Sequence, residues 1–211
     1  MTKMMPLVRI VDDDAPFRTS QAMLLRMSGR DVAEYATAQE FLARDDSSRP
    51  GCLILDVRMP GMTGLELQQA LEMTGSTLPV IFLTGHGDVS MAVHTMRHGA
   101  ADFLEKPVMP AVLFSSVERA CRRSIALYES MLKEREERSV FYRLTPREQQ
   151  VVLLAAVDTP NKIIGEKLSI GEATVKMHRA NAFAKLGVKG ALEAYRLLSR
   201  IGILKDDGGL P

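Results

Sequence analysis

Five short apolar runs recur through the first half of the chain, at 7–11, 32–35, 52–55, 79–84 and 102–104, with helix-like stretches between them. Alternation of this kind predicts a parallel sheet with right-handed helical crossovers. Two runs, Cys52-Leu53-Ile54-Leu55 and Val80-Ile81-Phe82-Leu83, are apolar at every position, as strands covered on both faces must be, and each stops abruptly at a polar residue. Beyond Pro110 the period changes. Leu113, Val117, Cys121, Ile125, Tyr128 and Leu132 step by three or four residues, which predicts one helix reaching about residue 138. Its second half, from Met131 to Arg138, is mostly charged and reads either as a solvated linker or as a short coiled coil that pairs two subunits.

A second all-helical pattern opens at Leu144-Thr145-Pro146-Arg147-Glu148. Thr145 can cap a helix, Pro146 suits its first position, and Glu148 completes a capping box. Helical stretches follow near 161–168, 172–186 and 190–201, and the segment from Lys205 to Pro211 reads as a frayed tail. The expected organisation is an α/β unit over 1–120, a helical linker over 121–142 and a small all-α unit over 143–204.

Composition sharpens this picture. The 211 residues suit two domains, and 46% apolar residues suffice for two cores. A net charge of +1 hides an asymmetry: residues 1–120 hold 11 basic and 15 acidic side chains, whereas residues 143–211 hold 11 basic and 7 acidic. Nucleic acid, if bound, is therefore expected at the C-terminal unit. No run of about 18 apolar residues exists, so no membrane contact and a cytoplasmic location are expected. Cys52 and Cys121 lack the spacing of redox or zinc motifs and read as buried, reduced thiols without a role.

The chemistry gathers at the strand ends. Strand one runs into Asp12-Asp13-Asp14, strand three into Asp56, strand four ends in Thr84, and Lys106-Pro107 follows strand five. In a parallel sheet these ends share one edge, where ligands collect. Crowded carboxylates repel, and a hard divalent cation such as Mg²⁺ is the usual remedy. A carboxylate beside that cation can attack a phosphoryl donor to give an acyl phosphate. Asp56 is the expected nucleophile, Asp12 and Asp13 the metal carboxylates, the Arg58 carbonyl a further oxygen ligand, and Lys106 the cation that pairs with Asp56 and then with its phosphoryl group. Asp14 reads as a helix-start residue, His94 and His98 as surface residues, and His86 as part of the loop after strand four.

Together, Val-Asp-Asp-Asp (11–14), Leu-Asp-Val-Arg-Met-Pro-Gly-Met-Thr-Gly (55–64), Thr-Gly-His-Gly-Asp (84–88), Gly-Ala-Ala-Asp-Phe (99–103) and Lys-Pro (106–107) resemble a response-regulator receiver domain, the fourth strand's exit being similar to the FixJ branch. The resemblance implies a flavodoxin-like fold with strand order 2-1-3-4-5, phosphorylation by a sensor histidine kinase and a cis peptide before Pro107. It also implies a switch in which the Thr84 hydroxyl turns to the phosphoryl group as Phe103 rotates inward, remodelling the face of helix four, strand five and helix five.

From Leu144 to about Ile201 the chain resembles the LuxR-type helix-turn-helix, through Leu-Thr-Pro-Arg-Glu, Asn-Lys-Ile-Ile-Gly, Thr-Val-Lys-Met-His-Arg and Lys-Leu-Gly-Val. In the second helix of that motif Val175, Ala182 and Leu186 should face inward, while Ala173, Lys176, Met177, Ala180 and Ala184 form the stripe expected in a major groove. Lys176 is the expected base-edge contact, with Met177 and Ala180 against thymine methyls. Arg179, Lys185, Lys162 and Asn161 are expected on phosphates. Relative to the family pattern, Asp158 replaces a common Gly, Gly171 a common Ser, and Gly165 a common Ala, at an expected cost of roughly 0.5–1 kcal/mol in helix stability.

The combined expectation is a phosphorylation-controlled transcription regulator, not an enzyme. It would work with a histidine kinase, double-stranded DNA, RNA polymerase and a second copy of itself recruited on phosphorylation. A phosphatase with an aspartyl nucleophile would carry a second Asp two residues after the first, where this chain has Arg58. A C-terminal unit that binds protein instead of DNA is the other alternative.

Overall fold

The computed structural model describes residues 5–85 and 89–204. His86 and the segment from Lys205 onward lie outside the described residues. The chain divides into two units, cut between Tyr128 and Glu129.

In the first unit, β1 (Leu7–Val11), β2 (Asp31–Tyr35), β3 (Gly51–Leu55), β4 (Val80–Thr84) and β5 (Asp102–Glu105) form a parallel sheet of order β2-β1-β3-β4-β5. Five helices accompany it: α1 (Ala15–Met27), α2 (Ala38–Arg44), α3 (Gly64–Met73), α4 (Val89–Arg97) and α5 (Pro110–Tyr142). Period-two alternation sorts the strand side chains into two cores. Val8, Ile10, Cys52, Ile54, Ile81 and Leu83 pack with Ala22 and Leu25 of α1 and with Leu113 and Val117 of α5. Val11, Leu53, Leu55, Val80 and Phe82 pack on the other face with Phe41 of α2 and Leu67 of α3. Each strand of the sheet's centre thus feeds both layers, which is why β3 and β4 had to be apolar throughout.

Arg9, in the middle of β1, is wholly buried. A guanidinium there must be paired, and it is. Its Nε donates to Asp45 Oδ1 at 2.7 Å, and Nη2 donates to the carbonyls of Asp46 at 2.6 Å and Arg49 at 2.9 Å. The Tyr35 hydroxyl donates to the same Asp45 oxygen at 2.9 Å. Burial, followed by the Asp45 contact, pushes the phenol up to about 12.

The second unit holds α6 (Pro146–Ala156), α7 (Asn161–Leu168), α8 (Glu172–Leu186) and α9 (Ala191–Arg200). Thr145 caps α6, and Glu148 returns a bond to the Thr145 amide at 2.9 Å, closing the expected capping box. Val152 of α6, Ala182 and Leu186 of α8, and Leu197 and Leu198 of α9 share one core with Phe141 from the end of α5. That core explains why α5 runs to Tyr142 and not to about 138.

Between α7 and α8 the chain turns through Ser169 at φ 55°, and the Ile170 amide donates to the Gly165 carbonyl at 3.0 Å. A Cβ on Gly165 would stand 2.7 Å from the Ile170 carbonyl oxygen. The expectation that Gly165 merely weakens its helix is corrected: the tight turn needs a residue without a side chain there. Asp158, at φ 57°, occupies the left-handed conformation that a glycine takes most easily.

Candidate functional site

The strand order brings the ends of β1, β3 and β4 and the start of the β5–α5 loop to one edge. Asp14 leaves the acidic run to cap α1, its carboxylate accepting from the Phe17 amide at 3.1 Å. Asp12, 2% exposed, and Asp56, 8% exposed, are held inside, with Asp13 exposed beside them. One carboxylate oxygen from each of Asp12, Asp13 and Asp56 lies within 4.8 Å of the others. Gly64 lets the start of α3 lie against the exit of β3: a Cβ there would stand 2.2 Å from the Asp56 carbonyl oxygen.

Lys106 follows β5 through a cis bond to Pro107 and a hydrogen bond from its amide to the Thr84 carbonyl at 2.9 Å. Its ammonium donates to Asp12 Oδ2 at 2.6 Å and stands 3.3 Å from Asp56 Oδ1. The first contact is a charge-assisted hydrogen bond, the second an ion pair without hydrogen-bond geometry. Asp56 Oδ1 is otherwise a buried acceptor lacking a donor. Desolvation raises the Asp56 carboxyl above its usual range and Asp12 adds to this, against Lys106 and the Arg58 amide, which lower it. Asp56 is thus a crowded, under-satisfied carboxylate that an added cation would relieve.

Two side chains around this edge escaped sequence reasoning. The Phe17 ring lies 4.1 Å from the Lys106 ammonium, and Arg18 donates to the Asp12 carbonyl at 2.5 Å. Both sit one turn into α1, directly behind the acidic run, and that position is the signal that could have found them. Thr84 is buried at the end of β4. Phe103 is half-buried in β5, 6.4 Å from the Phe82 ring. The rings of His94, on α4, and His98, just past its end, are exposed and lie 4.5 Å apart.

In the second unit, Val175, Ala182 and Leu186 are buried, and Ala173, Lys176, Met177, Ala180 and Ala184 form an exposed stripe along α8. Lys162, at the start of α7, is exposed as well. The other expected phosphate contacts are engaged within the protein. Arg179 donates to Asn161 Oδ1 at 3.0 Å and lies 5.2 Å from the Phe183 ring, joining α8 to the start of α7. Lys185, half exposed, also reaches α6: its ammonium donates to both oxygens of the buried Glu148 carboxylate at 2.7 Å.

The chain matches the response regulator receiver domain over residues 8–118 and the luxR family of bacterial regulatory proteins over residues 142–198. It is a LuxR-type response regulator. The transcriptional regulatory protein FixJ of Rhizobium meliloti is 40% identical over 190 residues, covering 90% of this chain and 93% of the relative. The tetrathionate response regulatory protein TtrR of Salmonella typhimurium is 36% identical over 197 residues, covering 93% and 94%. Among solved structures, the response regulator StyR superposes with a TM-score of 0.81 at 37% identity, over 93% of this chain and 99% of that one. This response regulator is accordingly a phosphorylation-controlled transcriptional regulator of a two-component system. Its receiver implies a partner histidine kinase and its LuxR-type domain implies DNA. The acidic triad supplies the hard oxygen donors by which receivers take Mg²⁺. Among the described residues, no helix is long and apolar enough to cross a membrane.

Proposed function

We propose that Asp56 is the phosphoacceptor of this regulator, in a receiver over 1–120 joined through a helical linker over 121–142 to an output domain over 143–204. The observation that carries the reading is Lys106, whose ammonium reaches Asp12 and the under-satisfied Asp56 oxygen together. Asp12, Asp13, Asp56 and the Arg58 carbonyl would hold Mg²⁺, which when bound offsets the charge of the carboxylates and of the incoming phosphoryl oxygens. The Asp56 carboxylate attacks phosphorus in line with the leaving group. Lys106 shifts its hydrogen bond from Asp12 to the new phosphoryl oxygen, and Thr84 turns its hydroxyl to another, with Phe103 moving inward into the space vacated.

Treatment with Mg²⁺ and acetyl phosphate should add one acid-stable, base-labile phosphoryl group, seen as a mass increment and a shift in phosphate-affinity electrophoresis. Asp56→Asn should abolish it. Normal labelling of that variant would overturn the assignment.

On DNA, Lys176 reads a base edge, Met177 and Ala180 meet thymine methyls, and Lys162 holds phosphate, with Asn161 and Arg179 as a linked pair at the α7–α8 junction that sets register. Phosphorylation favours a homodimer suited to paired half-sites, which recruits or obstructs RNA polymerase in the cytoplasm. The histidine kinase and the DNA that its two domains imply are what support this placement.

A further inference from the structure

The chain's two cysteines both lie in the first unit, away from the acidic edge. Cys52 is the second residue of β3, and Cys121 lies on α5, 69 residues away in sequence. Both are free thiols in the same apolar cluster, and their sulfurs are 3.7 Å apart. We propose that Cys52 and Cys121 form a reversible disulfide when the protein meets a peroxide, a thiol-oxidation site that fastens α5 to β3.

Forming an S–S bond of about 2.05 Å requires the two sulfurs to approach by roughly a further 1.6 Å, within the range of side-chain torsion. The start of β3 and α5 are already tied at this point, the Gly51 amide donating to the Ser124 side-chain Oγ at 3.0 Å. β3 itself is fixed between β1 and β4. Closure therefore falls on the two cysteine side chains and asks no strand or helix to leave its place.

The pair is chemically unequal. Cys52 is fully enclosed, and its hydrogen bond with Cys121, together with burial, pushes its thiol well up. Cys121, 5% exposed, is drawn below the usual thiol range by the bond it shares with Cys52, and the Arg30 guanidinium adds to this. Arg30 is held beside α5 by Glu118 at 3.2 Å, less than one turn before Cys121. Of the two, Cys121 is thus the sulfur drawn toward the thiolate and the one with some exposed surface.

The Cys121 thiolate attacks one peroxide oxygen; an S–O bond forms, the O–O bond breaks, and hydroxide leaves. The Cys52 sulfur then attacks the Cys121 sulfenic sulfur. An S–S bond forms, the S–O bond breaks, and the departing oxygen leaves as water with the Cys52 proton. Two thiols are oxidised and one peroxide is reduced to water. Because Asp56 lies at the opposite end of β3 from Cys52, the cross-link leaves the acidic edge untouched and fixes the register of α5 on the sheet.

The test uses the full-length chain, reduced, desalted and exposed to hydrogen peroxide below its thermal transition. It is then denatured in an alkylating agent and read by intact mass and peptide mapping. Both thiols should be lost to alkylation, a Cys52–Cys121 linked peptide should appear within single chains, and dithiothreitol should reverse both. Cys52→Ala and Cys121→Ala, each shown by a melt to be folded, should give no linked peptide. Retention of two alkylatable thiols, links between chains, a link formed only in denaturant, or Cys121 halted as a sulfinic acid would each overturn the proposal. No phosphodonor or DNA enters the assay, so its failure is separable from that of the Asp56 assignment.

Discussion

Replacing Lys185 with Ala separates a structural role from a DNA-contact role. In the wild type the Glu148 carboxylate, 4% exposed, accepts two bonds from Lys185 at 2.7 Å and the capping bond from Thr145. Lys185→Ala leaves a buried carboxylate with the cap alone. Hydrogen bonds to charged groups contribute about 1.5–3 kcal/mol each, and stranding a buried ion costs about 3–5 kcal/mol. Lys185 is half exposed, so water screens the pair from that side, which places the expected loss at the lower end, about 2–3 kcal/mol. At roughly 4–8 °C per kcal/mol for a domain of this size, the C-terminal transition should fall by about 10–20 °C. Lys185 holds the Glu148 carboxyl below its usual range, so its contribution is complete above the unfolded-state carboxylate pKa and is lost as pH falls through the lower folded-state value. The gap between wild type and Lys185→Ala should be widest at neutral pH and should close in acid. Calorimetry across pH measures it, with the receiver transition as internal control. In DNA titrations the slope of log affinity against log salt should be unchanged, whereas losing a true phosphate contact flattens it by about 0.9. A variant that melts like wild type and shows the flatter slope would refute the reasoning and return Lys185 to the DNA.

Lys176→Ala should relax base discrimination by about 1–3 kcal/mol at one operator position in selection from random DNA, with overall folding intact. Gly165→Ala should lower the C-terminal urea midpoint, because the roughly 0.5–1 kcal/mol gained in helix propensity is smaller than the roughly 1–3 kcal/mol cost of moving the Ile170 carbonyl. Phosphodonor should raise the dimer fraction of wild type in analytical ultracentrifugation and leave that of Thr84→Ala unchanged; an unchanged wild type would point to control by release of an inhibitory contact.

The receiver's architecture was legible because buried parallel strands carry their signature locally. Cys52–Leu55 and Val80–Leu83 are apolar without a break, and the residue at which each run stops is the residue that lines the edge. Topology alone then assembles Asp12, Asp56, Thr84 and Lys106, so the cluster could be read without a single contact being known. What lay beyond reach were pairings between helices. The periodicity of α8 placed Arg179 and Lys185 off its buried stripe, but nothing in that period says that Asn161 and Glu148, 18 and 37 residues earlier, would claim them. The preference of Lys106 for Asp12 over Asp56, and the Phe17 ring beside it, depend in the same way on how the start of α1 meets the loop after β5. The end of α5 was misjudged by four residues because charged side chains neither favour nor oppose another helical turn; Phe141, 4% exposed in the second core, decides it.

Arg9 also changes what can be done to the protein by design. The run Asp45-Asp46-Ser47-Ser48-Arg49-Pro50 has the composition of a permissive loop, the kind chosen for grafted epitopes, reporter insertions or new chain termini. Its carbonyls at Asp46 and Arg49 are instead moored to a guanidinium at the centre of β1, and Asp45 completes the mooring. An insertion there would pull three partners away from a charge that water cannot reach, leaving it the Leu7 carbonyl alone among its described partners. The turn at Gly75, where an added Cβ would meet no neighbour within 4 Å, is a better place to cut or splice this receiver.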